Sequence, residues 1–204
     1  MSLLKDFSSD QSKEIARIVF NEHFKYDNKL NQELDQQRQI AMYQDILYNL
    51  SYLEIAIKFD DELIFEDYAL WIYELLCNLM KDLSRTRIAQ QMIDHYRILA
   101  EVIERFIDQK QATRMVDLLK LATQTTKNAI DTPQVTTVFA KGEYHDLQQQ
   151  YLDRLLDNDT RGAIRVILDA VRSGMSIQDI YLHVLKEVMY QVGHLWHQNQ
   201  ITVD

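Results

Sequence analysis

The sequence predicts an all-α protein built as two helical parts: an N-terminal antiparallel bundle, then an incomplete four-helix bundle. Three observations carry this. The first 130 residues contain neither glycine nor proline, the two strongest breakers of regular structure. Their apolar residues recur in steps of three and four, which places each set on one helical face. Short polar breaks such as Asp60-Asp61 and Asp82 to Ser84 separate these sets and imply antiparallel neighbours.

Taken in order, Ile15, Ile18 and Val19 mark a short leading helix. Ile40, Tyr43, Leu47, Leu50, Leu53 and Ile57 make the first long stripe. Phe65, Tyr68, Ile72, Leu75, Leu76 and Leu79 make the second, and Ile88, Met92, Leu99, Val102, Ile103 and Phe106 the third. Met115, Leu119 and Ala122 continue a fourth. Residues 1–124 are thus expected to form the N-terminal helical bundle. The stretch "TQTTKNAIDTPQVTTVFAKGEYHD" is Thr-rich, holds Pro133 and lacks a helical period. It reads as a linker over 125–143, in which Val135, Val138 and Phe139 suit a brief extended segment.

Residues 144–204 then supply three punctuated helices. Leu147, Tyr151, Leu155 and Leu156 line the first, and Asp159 after the "DNDT" break is a candidate N-cap for the next. Ala163, Ile164, Ile167, Leu168 and Val171 line the second, which Ser173-Gly174 should stop, since glycine adopts a left-handed conformation cheaply. Ser176 and Asp179 form a short-armed capping box. Ile177, Ile180, Tyr181, Val184, Leu185, Val188, Val192 and Leu195 line the third, which ends near Trp196. Three amphipathic helices leave one side of a small bundle open.

Composition narrows the function classes. The chain has 204 residues, 31 of them acidic and 22 basic, for a formal net charge of −9. Lys and Arg are scattered singly, so no basic patch offsets the repulsion of nucleic-acid phosphates. Cys77 is the single cysteine, excluding an internal disulfide and suiting a reducing cytoplasm. No apolar run is long enough to span a bilayer, and "MSLLKDFSSD" lacks the apolar core of a signal peptide. There is no phosphate-cradling Gly-rich loop and no G-x-S-x-G elbow. His194 and His197 share "HLWH" but bring no third ligand, so a metal site is not expected. Cys77 has apolar sequence neighbours, which suits an inert thiol. The dispersed His23, His95, His145 and His183 read as structural or solvated. Tyr68, Trp71 and Tyr73 read as core or boundary packing, with a partner surface as the alternative.

The segment "LLDNDTRGAIRVILDAVRSGMSIQDIYLHVLKEVMYQVGHLWHQNQITVD" resembles the helical cap domain of cobalamin (vitamin B12)-binding proteins, of the sensor, photoreceptor-regulator and methionine synthase type. The closing block is the most specific part, with a Val-Gly pair, a Trp three residues after the Gly, and a polar turn before Ile201-Thr202-Val203. The resemblance implies that Trp196 and Val203, with Val192 and Leu195, face the upper side of a corrin ring. In the family a Glu-His pair follows the Val, and a Rossmann-like domain with Asp-x-His-x-x-Gly supplies the lower cobalt ligand. This sequence has neither, and on that resemblance it reads as the front part of a longer protein, truncated within the cap motif. The implied role is regulatory and non-enzymatic, in a bacterial cytoplasmic protein: cobalamin is the cofactor of the full-length protein, and the N-terminal bundle receives a signal or mediates homo-oligomer or partner contact. Two alternatives stand beside it. One is a corrinoid carrier for methyl transfer; the other is a helical interaction scaffold without a cofactor.

Overall fold

The computed structural model describes residues 9–132 and 142–202. Among them there is helix and no strand, so the all-α expectation holds. Contacts divide the chain into two compact units, Met1–Thr132 and Pro133–Asp204.

Among the described residues the N-terminal unit has six helices: α1 (Asp10–Tyr26), α2 (Leu30–Glu33), α3 (Gln36–Phe59), α4 (Leu63–Leu79), α5 (Arg85–Phe106) and α6 (Gln109–Ala129). Four of them start in the same way. Ser9, Asp35, Ser84 and Asp108 each accept a hydrogen bond from the backbone N–H three residues on, satisfying a donor that the helix itself leaves open. The break at Asp60-Asp61 is a left-handed cap. Asp60 sits at φ 53, its N–H donates to Ile57 O (3.2 Å), and Asp61 N–H donates to Ala56 O (3.0 Å).

α6 pairs with α5 and α4, while α1 lies against α5 and α3. Their shared core includes Val19, Leu50, Leu53, Phe65, Tyr73, Leu99 and Ile103, each 2 % exposed or less. The apolar stripes therefore face inward over most of their length. Their ends do not: Ile40, Leu79 and Phe106 are 54, 50 and 42 % exposed, because they stand at helix termini beyond the reach of a neighbour. Two features were not expected from sequence. A single turn, α2, fills the space before α3 and buries Leu30. α6 also continues to Ala129, so residues 125–129 of the Thr-rich stretch are helical. Arg85 holds that end by donating to Ala129 O (2.8 Å) and Ile130 O (3.1 Å), and Thr126 packs fully buried. The extended segment expected around Val135, Val138 and Phe139 lies outside the described residues.

Arg87 ties the elements around α2 together. Its guanidinium donates to Asp27 (2.5 Å) and to both carboxylate oxygens of Glu33 (2.6 Å at the closest), and Gln91 adds a bond to Glu33 (2.6 Å). Burial alone would raise Asp27, but the Arg87 bond and the Lys29 N–H outweigh it and hold Asp27 below the usual carboxylate range.

The C-terminal unit contains α7 (His145–Leu156), α8 (Thr160–Arg172) and a long α9. The last is α-helical at Ile177–Asp179, π-helical at Ile180–Leu185, and α-helical again at Lys186–His197. α7 packs on α8 and on α9. Asp159 caps α8, accepting from Gly162 N–H at 2.8 Å, and Gly174 ends it at φ 98. Both agree with the sequence reading, as does Ser176 accepting from Asp179 N–H (3.0 Å).

The apolar stripes of this unit are covered much less than their periodicity suggests. On α8 Ala163 is buried, whereas Ile164, Leu168 and Val171 are 54, 47 and 38 % exposed. On α9, Ile177 and Tyr181 are exposed, while Ile180, Val184 and Val188 are buried. Among the described residues α8 and α9 each pack mainly on α7, so only the inner edge of each of their stripes is covered.

Candidate functional site

The candidate site lies at the C-terminal end of α9. The π-helical turn sets how this helix is rotated. In that turn Lys186 N–H reaches back to Tyr181 O, five residues away instead of four. Gln148 of α7, itself buried, donates to His183 O at 2.6 Å. Tyr144 stacks on the His183 ring at 5.1 Å between centroids. The widened turn is thus held by α7 at a carbonyl and at a side chain. Below it, Val188 and Gln191 face inward at 0 and 6 % exposure.

The helix end is fixed as firmly. Asn199 adopts a left-handed conformation (φ 54); its N–H donates to Trp196 O (2.8 Å), and Gln200 N–H donates to Leu195 O (2.9 Å). His197 and Gln198 are buried just before this turn, and the Nε2 atom of His194 is buried without a hydrogen-bond partner among the described residues.

At 100° per residue, Met189, Gly193 and Trp196 fall on one face of α9. Met189 is 59 % exposed and Trp196 39 %. A methyl group added to Gly193 would meet no atom within 4 Å. The face is apolar, and at Gly193 it has no side chain. Val192 stands at its border and is half-buried, and Leu195, also half-buried, turns toward the side of Val188 and Gln191. The residues expected to act together are therefore spread around the helix: Trp196 outward, Val192 beside it, Leu195 further in. Val203 lies outside the described residues. Sequence reasoning passed over Met189 and Gly193 as site residues, although Val-Gly was part of the motif. The missed signal was a glycine inside a helix, where it costs about 1 kcal/mol relative to alanine.

Among the described residues no group of three His, Cys, Asp or Glu could hold a metal ion. No helix of the described residues is long and apolar enough to cross a membrane. Cys77 of α4 is partly buried, and that burial raises its thiol further above the thiolate range.

An all-helical, two-unit architecture whose second unit is a three-helix array ending in an exposed indole is the class this geometry defines. Residues 147–204 match the family model described as the B12 binding domain, so the C-terminal helices are similar to a cobalamin-binding cap. No curated protein and no solved structure matches the chain.

Proposed function

We propose that the C-terminal unit caps the upper axial face of a corrinoid, within a regulatory rather than enzymatic protein whose N-terminal bundle receives or relays the signal. The observation that carries this reading is the coincidence of the B12 binding domain match with Trp196, 39 % exposed at the end of α9. The residues fit a flat, largely apolar plate. Trp196 offers an indole whose burial contributes a few kcal/mol, about 1.5–3 for a large apolar side chain. Gly193 lets the plate approach the helix backbone, and Met189 offers a polarisable thioether that adapts to its surface. When bound, the corrinoid would supply organocobalt chemistry at the position that Trp196, Gly193 and Met189 cover. The chain's own residues supply shape and exclude water from that position. An indole wedged against an upper ligand also makes the cap sensitive to loss of that ligand, which is how a ligand biases a two-state element.

The test is a titration of adenosylcobalamin and aquocobalamin, read by visible absorbance. It is run on the 204-residue chain and on a fusion of this chain to a corrinoid-binding Rossmann-like domain, each with and without Trp196→Ala. The fusion is expected to bind, and Trp196→Ala to weaken adenosylcobalamin by about tenfold and alter its photolysis rate. Unchanged spectrum, affinity and photolysis in Trp196→Ala would sink the proposal.

A further inference from the structure

The N-terminal unit holds a cavity of about 190 Å³, partly open to solvent and lined by residues of α1 to α5. Most of its wall is apolar, with Leu30, Ile46, Ile72 and Met92 contributing. Three side chains on that wall carry hydrogen-bonding capacity that no described residue uses. Asn49 is 3 % exposed. Its Nδ2 donates to Asp45 O at 2.7 Å, which orients the amide, and its Oδ1 is left buried without a donor. His95 joins His23 through Nδ1 at 3.0 Å, and its Nε2 is buried with no partner among the described residues. Asp45, one helical turn before Asn49, is half-buried, with no ion pair or hydrogen bond to its carboxyl among the described residues, and the lost hydration pushes it up to about 7.

Unpaired buried polar groups are costly and uncommon, so their occurrence on residues that line one largely apolar cavity points to an occupant that pairs with them. Asn49 Oδ1 is an acceptor only, and so is an ionised Asp45. Burial keeps both imidazoles neutral, so His95 Nε2 is an acceptor whenever His95 Nδ1–H donates to His23 Nε2. A primary ammonium has three donors and no acceptor, which matches this set. A carboxylate-bearing guest would meet Asp45 as a like charge, while Arg38 on the same wall is already held by Asp82 (2.7 Å), and a plain hydrocarbon would leave all three groups unpaired. The volume suits one ring, since benzene occupies engineered cavities of about 150 Å³.

We propose that this cavity binds a small organic amine, with an apolar body of single-ring size and an ammonium head held by Asp45, Asn49 and His95. This site is independent of the corrinoid reading. A guest there touches wall residues from five helices and so favours one arrangement of the bundle.

The experiment uses the 204-residue chain with benzylamine, benzyl alcohol and benzoate as size-matched probes. Binding is read by calorimetry and by methyl and amide NMR shifts of Ile46, Ile72 and Met92. Benzylamine should saturate with shifts confined to cavity residues, and benzyl alcohol and benzoate should bind at least about tenfold more weakly. Asp45→Asn should weaken benzylamine by about tenfold or more while still melting cooperatively. The proposal is overturned if benzylamine shows no saturation up to about 10 mM, leaving water as the occupant. It is equally overturned if the alcohol binds as well as the amine, or if Asp45→Asn binds unchanged. Should Asp45→Asn not fold, the three-probe comparison on the unaltered chain decides.

Discussion

His23 of α1 and His95 of α5 stack with their ring planes 14° apart and share a hydrogen bond of 3.0 Å between Nε2 and Nδ1. One ring donates its N–H to the other across this contact, and the other accepts. Burial drives the His23 pKa down to about 4, with Arg97 adding to the effect, and drives His95 well below its ordinary value. The pair therefore joins two helices as an uncharged link, and it loses that character only when a ring is protonated.

The first prediction concerns this link. The unfolded chain protonates both rings near pH 6.5, but the folded chain resists until about pH 4 at His23. Between those values the unfolded state binds more protons, so stability falls as pH drops through this window. In a ¹H–¹³C spectrum of the folded protein, the His23 ring resonances should stay put from pH 8 to about 5. A midpoint near 6.5 with the fold intact would show that the pair is not buried as described.

Asp45 should act in the opposite direction over the same range. Its folded pKa is raised to about 7, so below about pH 4 both states are protonated and it contributes nothing. Above that, the unfolded chain ionises first, and stability declines until the folded carboxyl ionises near 7. The penalty is then constant, and Asp45→Asn should remove about 2–4 kcal/mol of it. Urea melts should show Asp45→Asn more stable than the parent at pH 8 and close to it at pH 4. A destabilised variant at pH 8 would contradict this account.

How much of this was readable in sequence differs between features. The helices of the N-terminal unit were readable because local signals agree there: apolar residues at helical spacing, Asp or Ser at the starts, and polar breaks between. Such signals are set by a few neighbouring residues. The His23–His95 pair, whose members stand 72 positions apart in sequence, has no local signature, and neither has a cavity whose polar wall comes from α3 and α5. The π-helical turn at Ile180–Leu185 was equally invisible, since a run such as "IYLHVL" is compatible with either hydrogen-bond step. In the C-terminal unit, periodicity found the apolar faces of α8 and α9 but could not say which were covered. Ile164 and Val188 look alike in sequence, at 54 and 0 % exposure.

Arg87 should be the most sensitive charged residue of the N-terminal unit. Its side chain is 21 % exposed, with Asp27 and Glu33 at 19 and 17 %, so these are partly buried charges. Replacing Arg87 with Met keeps much of the stem but leaves two carboxylates close together and unpaired. The cost should be about 2–4 kcal/mol, between that of exposed and fully buried pairs. Asp27 owes its low pKa to this partner, so its contribution exists above its unfolded pKa and is lost as pH falls through the folded value. Chemical denaturation at pH 7 and pH 3 should therefore show a smaller Arg87→Met effect at the lower pH. An equal effect at both would assign the loss to stem packing instead.

Gly193 offers a prediction in which stability and function separate. It sits within the last α-helical segment of α9, exposed, and an added methyl would meet no described atom within 4 Å beyond its own helix backbone and chain neighbours. On helix propensity alone, Gly193→Ala should therefore stabilise the protein by about 0.5–1 kcal/mol. The same methyl would stand on the face shared by Met189 and Trp196, where close approach of a corrin plate needs the backbone bare. In the fusion to a corrinoid-binding domain, Gly193→Ala should raise the melting temperature of the apoprotein and weaken adenosylcobalamin binding by several-fold, about 1 kcal/mol. Gly193→Leu should weaken binding further while the helix content stays the same. The paired readout matters because a variant that merely damaged the fold would lower both quantities. If Gly193→Ala stabilised the chain and left cofactor affinity intact, the corrin face would have to lie elsewhere on the unit, and the exposed stripe of Ile164, Leu168 and Val171 on α8 would be the next surface to test.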